Sequence, residues 1–140
     1  MENGKLDNMQ VNQLSPLVLA FVGDAVFDLF VRSRLTMKKR ESAHKLHVGT
    51  TKYVKAAAQS RISKELHDKF TDEEKAIFRR GRNSKSATIP KHADVLDYRR
   101  STAFEAVLGY LYLLGRQERL LEILNMAVKV IEEGEGSNGQ

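Results

Sequence analysis

The stretch over residues 14–31, LSPLVLAFVGDAVFDLFV, constrains the fold more than any other part of the chain. It is apolar on nearly every side when wound as a helix. Such a helix belongs at the centre of a protein rather than on its surface. Ser15 followed by Pro16 is a strong helix start, with an N-cap hydroxyl and then a proline at the first helical position. A helix over residues 16–35 is therefore predicted. Positions 17, 21, 24, 28, 31 and 35 form one stripe along it, and the middle two are Asp24 and Asp28. A charge buried without a partner costs several kcal/mol or shifts its protonation, so something must compensate for these carboxylates. Gly23 weakens the helix by about 1 kcal/mol relative to alanine. Its expected use is to admit another backbone or a ligand closely.

A second segment has the same character. Residues 102–114 are apolar on almost every side, carry Glu105 as their only charge, contain Gly109, and stop at Gly115. The remaining periodic segments are amphipathic. A helix is expected over about 42–59, with Ala43, Leu46, Tyr53, Val54 and Ala57 inward. Ser60 is expected to cap a short helix carrying Ile62, Leu66 and Phe70. Thr71 with Glu74 three residues on is a capping box. The helix it opens is expected to end at Gly81. A last helix is expected over about 117–133. Residues 81–100 form one long irregular region with part of 93–100 helical, and long loops inside compact domains are usually functional or disordered. No segment alternates as a strand does, and no repeat or internal boundary is visible, so the chain reads as all-α.

With 140 residues the chain suits one domain with a sizeable core. The expected organisation is a flexible arm over 1–13, a helical domain over 14–133 and a disordered tail over 134–140. There are no cysteines, which excludes disulfides and thiolate metal sites. No apolar run approaches the roughly 20 residues that span a bilayer, and no signal region opens the chain, so a cytoplasmic protein without membrane contact is expected.

The net charge of +5 is unevenly distributed. Residues 38–69 hold nine Lys/Arg against three Asp/Glu, and residues 79–100 hold seven against two, which leaves the rest of the chain at −6. Two basic segments on an otherwise acidic chain point to a polyanionic partner, with solvated helix faces as the plain alternative.

Packing the two apolar helices together would bring Asp24 and Glu105 into one acidic cluster. Mg²⁺ takes oxygen ligands and often uses only one or two carboxylates together with substrate phosphates. Such an ion can activate water and stabilise the leaving oxygen of a phosphodiester. Basic flanks would hold the backbone of a nucleic acid. Each feature also has a simpler explanation. Glu105 lies three residues after Thr102 and fits the N3 position of a capping box. Asp24 and Asp28 could pair with Arg32 or with a basic residue elsewhere in the chain. The four histidines show no metal-ligand spacing, and Tyr110 with Tyr112 suits core or interface better than base stacking. From the residues alone these alternatives stay open.

Residues 21–29, FVGDAVFDL, resemble the signature helix of the ribonuclease III endonuclease domain. Residues 80–86 (RGRNSKS), Pro90-Lys91, residues 93–95 (ADV), Tyr98-Arg99 and residues 101–110 (STAFEAVLGY) resemble the short branch of that family called Mini-ribonuclease III. The blocks occur in order and cover about residues 14–132. The resemblance implies an all-α, homodimeric ribonuclease III endonuclease-domain fold that cleaves double-stranded RNA with Mg²⁺. It matches Asp24 to the catalytic aspartate and Glu105 to a metal-ligating glutamate; Asp28 matches a commonly acidic position without an assigned role. It also implies maturation of 23S ribosomal RNA in a bacterium, with a ribosomal protein as a conceivable assistant.

The larger ribonuclease III enzymes carry glutamates four and seven residues before the signature aspartate, where this chain has Ala20 and Leu17. They carry an aspartate where it has Thr102. The Mini branch shares these losses, so the acidic cluster is expected to be small, with an open metal count. No appended double-stranded RNA-binding domain is expected, so the grip on RNA must come from the catalytic domain. Arg80, Arg82, Asn83, Lys85 and Lys91 are the candidates for one grip, and the basic face of 38–55 for a second. RNA duplexes are recognised largely through shape, phosphates and 2′-hydroxyls. The competing readings are a non-catalytic helical RNA-binding protein on the same fold and a structural dimerisation module.

Overall fold

The computed structural model describes residues 4–84, 89, 91 and 94–138, with side chains up to Gly134. Every regular element among them is helical: α1 (Asn8–Asn12), α2 (Pro16–Lys38), α3 (Ala43–Val54), α4 (Ala56–Leu66), a 3₁₀ turn (His67–Lys69), α5 (Asp72–Arg82), α6 (Val95–Leu113) and α7 (Gln117–Asn138). No helix among the described residues is long and apolar enough to cross a membrane.

The central helix is α6. It packs against α2, α4, α5 and α7. From Ser101 to Leu111 every residue is buried except Glu105. Phe27 of α2 meets Phe104 edge-on, with ring centroids 5.4 Å apart. The expectation that α2 would be buried all round is corrected. Its inner face is Leu19, Ala20, Gly23, Phe27, Val31 and Leu35. The stripe through Leu17, Phe21, Asp24 and Asp28 lies on the other side, and Phe21 and Leu29 are 80% and 67% exposed. Uniform apolarity therefore had a different cause in each helix: α6 is enclosed by its own chain, whereas α2 keeps an uncovered face.

Several boundaries moved for identifiable reasons. Asp94, not a residue near Thr102, caps α6, its side chain accepting from the Asp97 N–H at 3.0 Å. The part of 93–100 expected to be helical thus forms the first turns of α6 itself. Thr102 lies inside α6 and donates its hydroxyl to the Tyr98 carbonyl, so Glu105 is not part of a capping box. The single helix expected over 42–59 is broken at Lys55, whose φ −62° and ψ 153° are extended. The carbonyl of Val54 freed by that break accepts from the side chain of Gln59 at 2.8 Å. Helix α5 opens with the expected Thr71–Glu74 capping box but runs through Gly81 to Arg82. Gly81 serves close packing instead, since a Cβ there would lie 2.8 Å from the Ala103 Cα. Gly115 does end α6. At φ +73° it completes a Schellman motif, with Arg116 N–H donating to Leu111 O and Gly115 N–H to Tyr112 O.

Helical structure is described in both terminal segments. Residues 4–13 contain α1, closed by a capping box between Asp7 and Gln10, and Val11 is fully buried. Helix α7 continues past residue 133 to Asn138, and Gly134 lies beneath the Arg61 guanidinium. Residues 1–3 and 139–140 lie outside the described residues.

Candidate active site

The site is created where α2 and α6 cross with their backbones in contact. A Cβ placed on Gly23 would stand 1.7 Å from the carbonyl oxygen of Glu105, and one on Gly109 would stand 1.9 Å from that of Leu19. Each glycine meets the carbonyl one turn before the other glycine, so the α2 and α6 backbones touch. Two glycines inside helices sacrifice about 1 kcal/mol each in propensity. What they gain is contact that no other residue permits. Asp24 follows Gly23 and Glu105 precedes Gly109 by one turn, so the crossing that fixes the backbones also joins the carboxylates.

Asp24 is exposed, while Glu105 is set deeper in the wall of α6. The Glu105 carboxyl is pushed up to about 8, first by burial and then by the negative charge of Asp24. Donation from Gln59 works against that rise, and a hydrogen bond shared with Asp24 adds to it. Gln59 is 2% exposed and donates to Glu105 Oε2 at 3.1 Å. Two carboxyl groups in contact, one of them buried, make a place where positive charge is favoured. Among the described residues no cluster of three or more His, Asp or Glu is gathered. The donor set is two carboxylates, hard oxygen ligands of the number that Mg²⁺ accepts when waters and phosphates fill its other positions.

Asp28 has another task. Its Oδ2 accepts from Arg32 Nε at 2.8 Å, one turn along α2. Between the two aspartates, the salt-bridge explanation holds for Asp28 alone. Phe21, Val22, Ala25, Val26 and Leu29 line an apolar groove with Tyr112, and Asp24 and Asp28 border it.

The other candidates that are described lie at the end of α5 and in the segment after it. Arg80 and Arg82 are exposed on the last turn of α5, and the Arg80 guanidinium lies 3.4 Å from the Leu14 carbonyl. That carbonyl precedes α2, roughly 15 Å from Asp24 along the helix. Asn83 caps α5 and is exposed, as is Lys91; Lys85 lies outside the described residues. A cavity joins Leu17, Gly81, Ser84, Ile89, Tyr98, Arg99 and Thr102. It reaches from the end of α5 to one turn of α6 before Glu105. On the second basic surface His44, Lys45, His47, Lys52 and Lys55 are all exposed.

Sequence reasoning missed Gln59. Its one signal was an amide placed beside the inward positions Ala58, Ile62 and Leu66, and the break at Lys55 had to be known before that face could be assigned.

The profile of the Ribonuclease III domain matches residues 17–116. The chain belongs to the ribonuclease III family. It is 52% identical to the Mini-ribonuclease 3 of Thermoanaerobacter sp. (strain X514), across 95% of this chain and 94% of that one. It is 45% identical to the Mini-ribonuclease 3 of Staphylococcus aureus (strain NCTC 8325 / PS 47), across 91% and 99%. A crystal structure of a Fusobacterium nucleatum protein superposes with a TM-score of 0.78 at 31% identity, covering 89% of this chain and 98% of that one. The protein is an endoribonuclease of the Mini-ribonuclease III branch.

At the positions where the larger ribonuclease III enzymes carry further acids, Ala20 is buried in the core, Leu17 is exposed and Thr102 is tied to the Tyr98 carbonyl. None of the three supplies a charge to the site.

Proposed function

We propose that the protein is a Mg²⁺-dependent endoribonuclease that cuts double-stranded RNA, with Asp24 and Glu105 holding the metal ion. The observation that carries this reading is the carboxylate pair at the double-glycine crossing. A buried glutamate pushed up to about 8 beside an aspartate is unfavourable unless a cation is to be bound there. A protein that only gripped RNA would gain nothing from it. When bound, Mg²⁺ supplies a water acidic enough to attack a phosphodiester and neutralises charge on the leaving oxygen. The chain's own residues do the rest. Asp24, at the mouth, and Glu105, in the wall, would hold the ion between them. The exposed arginines of α5, with Lys91 and the basic face of α3, hold phosphates on either side.

The protein acts as a homodimer in this reading. The uncovered face of α2 borders each site, and a two-fold axis across it would cover Phe21 and Leu29 of both copies with the same patch. The substrate we assign is precursor 23S ribosomal RNA in a bacterial cytoplasm.

The test is incubation with long duplex RNA in Mg²⁺, in chelator, and with Asp24→Asn. Cutting that requires Mg²⁺, and that Asp24→Asn loses while still folding and binding RNA, is expected. Absence of cutting by the unaltered protein across several duplexes would refute the reading.

A further inference from the structure

We propose that Gln59 is a positioning residue for the metal site, its amide holding the Glu105 carboxylate in place from the break between α3 and α4. The proposal rests on Glu105 being a metal ligand.

The side chain lies on the inner face of α4, beside Ala58 and Ile62, and is 2% exposed. An amide there is costly unless hydrogen-bonded, and an apolar residue would fill the space without that liability. Its amide nitrogen carries two N–H groups, and each has a partner. One is the Val54 carbonyl at 2.8 Å and the other is Glu105 Oε2 at 3.1 Å. Turning the amide over would aim its oxygen at two acceptors, so the orientation is dictated by its neighbours. The oxygen Oε1 is buried with no partner among the described residues. A residue selected only for packing would not leave that acceptor unpaired.

The two bonds have different consequences. The bond to Val54 satisfies the carbonyl that the extended Lys55 releases at the end of α3. The bond to Glu105 fixes one carboxylate oxygen and leaves the other for Asp24 and the ion. Groups that orient metal ligands in this way influence affinity strongly, since removing one typically weakens binding about 10–100-fold. Gln59 also spans two elements, so the placement of Glu105 on α6 is referred to the α3–α4 corner as well as to α2.

The experiment uses the full chain with Mn²⁺ as a spectroscopic substitute for Mg²⁺. Mn²⁺ affinity is read by electron paramagnetic resonance, without RNA, for the unaltered protein, Asp24→Asn and Gln59→Met. Methionine keeps the shape and removes both donors. The expected result is Mn²⁺ binding about 10–100-fold weaker in Gln59→Met, with duplex RNA binding in chelator unchanged. Cleavage should then need correspondingly more Mg²⁺, at unchanged KM for RNA. Lower thermal stability with unaltered Mn²⁺ affinity would overturn the proposal and leave Gln59 as a cap for Val54. If Gln59→Met does not fold, the side-chain amide resonances of Gln59 in the unaltered protein carry the test. They should shift during a Mg²⁺ titration with the midpoint of metal binding, and fixed resonances would overturn the proposal. Failure of the underlying reading looks different: Asp24→Asn would then bind Mn²⁺ as the unaltered protein does.

Discussion

A methyl group on Gly109 would stand 1.9 Å from the Leu19 carbonyl oxygen, which is backbone and cannot swing aside. Gly109→Ala must therefore push α2 away from α6. The expected loss is about 3 kcal/mol, the upper end for overpacking, against the roughly 1 kcal/mol of helix propensity that alanine returns. Urea unfolding measures it, and cleavage should fall further than stability does, because the same shift separates Asp24 from Glu105. Glu105 offers a second check at this scale. Its folded value of about 8 is above the ordinary carboxylate value of 4.5, so its contribution to stability is full below about pH 4.5 and is lost as pH rises towards 8. The metal-free protein should weaken across that window by up to roughly 4 kcal/mol, and Glu105→Gln should flatten the trend. Thermal unfolding in chelator at several pH values reads both, and Mg²⁺ should restore the high-pH side. Asp24 and Glu105 were legible in the sequence because a charge inside an apolar segment is an anomaly that demands an explanation. Their partner Gln59 was not, because Val54-Lys55-Ala56 contains neither glycine nor proline to announce the break that turns the amide inward.

The same distinction recurs among the helices. Caps written in local chemistry were readable: Ser15 with Pro16, Thr71 with Glu74, and Gly115. Boundaries set by tertiary contact were not. Gly81 looked like a stop but provides contact with Ala103, and the Asp94 cap was hidden in a polar, basic stretch. How the elements are tied together was equally invisible, because it depends on residues about a hundred positions apart. Glu132 of α7 accepts from Arg34 of α2 at 2.7 and 2.8 Å and from the Tyr53 hydroxyl of α3 at 2.9 Å. Arg34 foremost, aided by Tyr53, holds the Glu132 carboxyl down at about 2. A depressed carboxylate contributes stability that is full above about pH 4.5 and disappears as pH falls towards 2. Glu132→Gln should therefore lower stability at neutral pH by about 1.5–3 kcal/mol, the range for bonds to a charged group. It should also reduce the loss of stability between pH 4.5 and 2. Denaturant titrations of both proteins at pH 7 and pH 3 test this, and an unchanged difference between the two pH values would contradict it.

At the scale of the molecule, the two surfaces of α2 divide the work. Its inner face secures α6, and its outer face presents Phe21 at 80% exposure and Leu29 at 67% in one groove with Tyr112. Large apolar side chains left together in water mark an interaction site. The groove also adjoins Asp24, so whatever covers it approaches the carboxylates. A second copy of the chain suits both facts, since a two-fold axis through the groove buries the same side chains from each protomer. Fully burying a phenylalanine is worth about 1.5–3 kcal/mol, and two are covered for each dimer. Phe21→Asp replaces that gain with two carboxylates brought together across the axis. The unaltered chain of 15.9 kDa should sediment at twice its own mass, and Phe21→Asp should sediment as a monomer with its helical content retained. Loss of cleavage in that variant with its Mn²⁺ affinity retained would tie activity to the dimer rather than to damage at Asp24, which borders the same groove. A monomeric unaltered protein with full activity would contradict the two-fold arrangement and leave the groove as part of the RNA-binding face. In that case Phe21→Asp should weaken RNA binding itself while leaving its salt dependence no steeper, since the number of phosphate contacts does not rise.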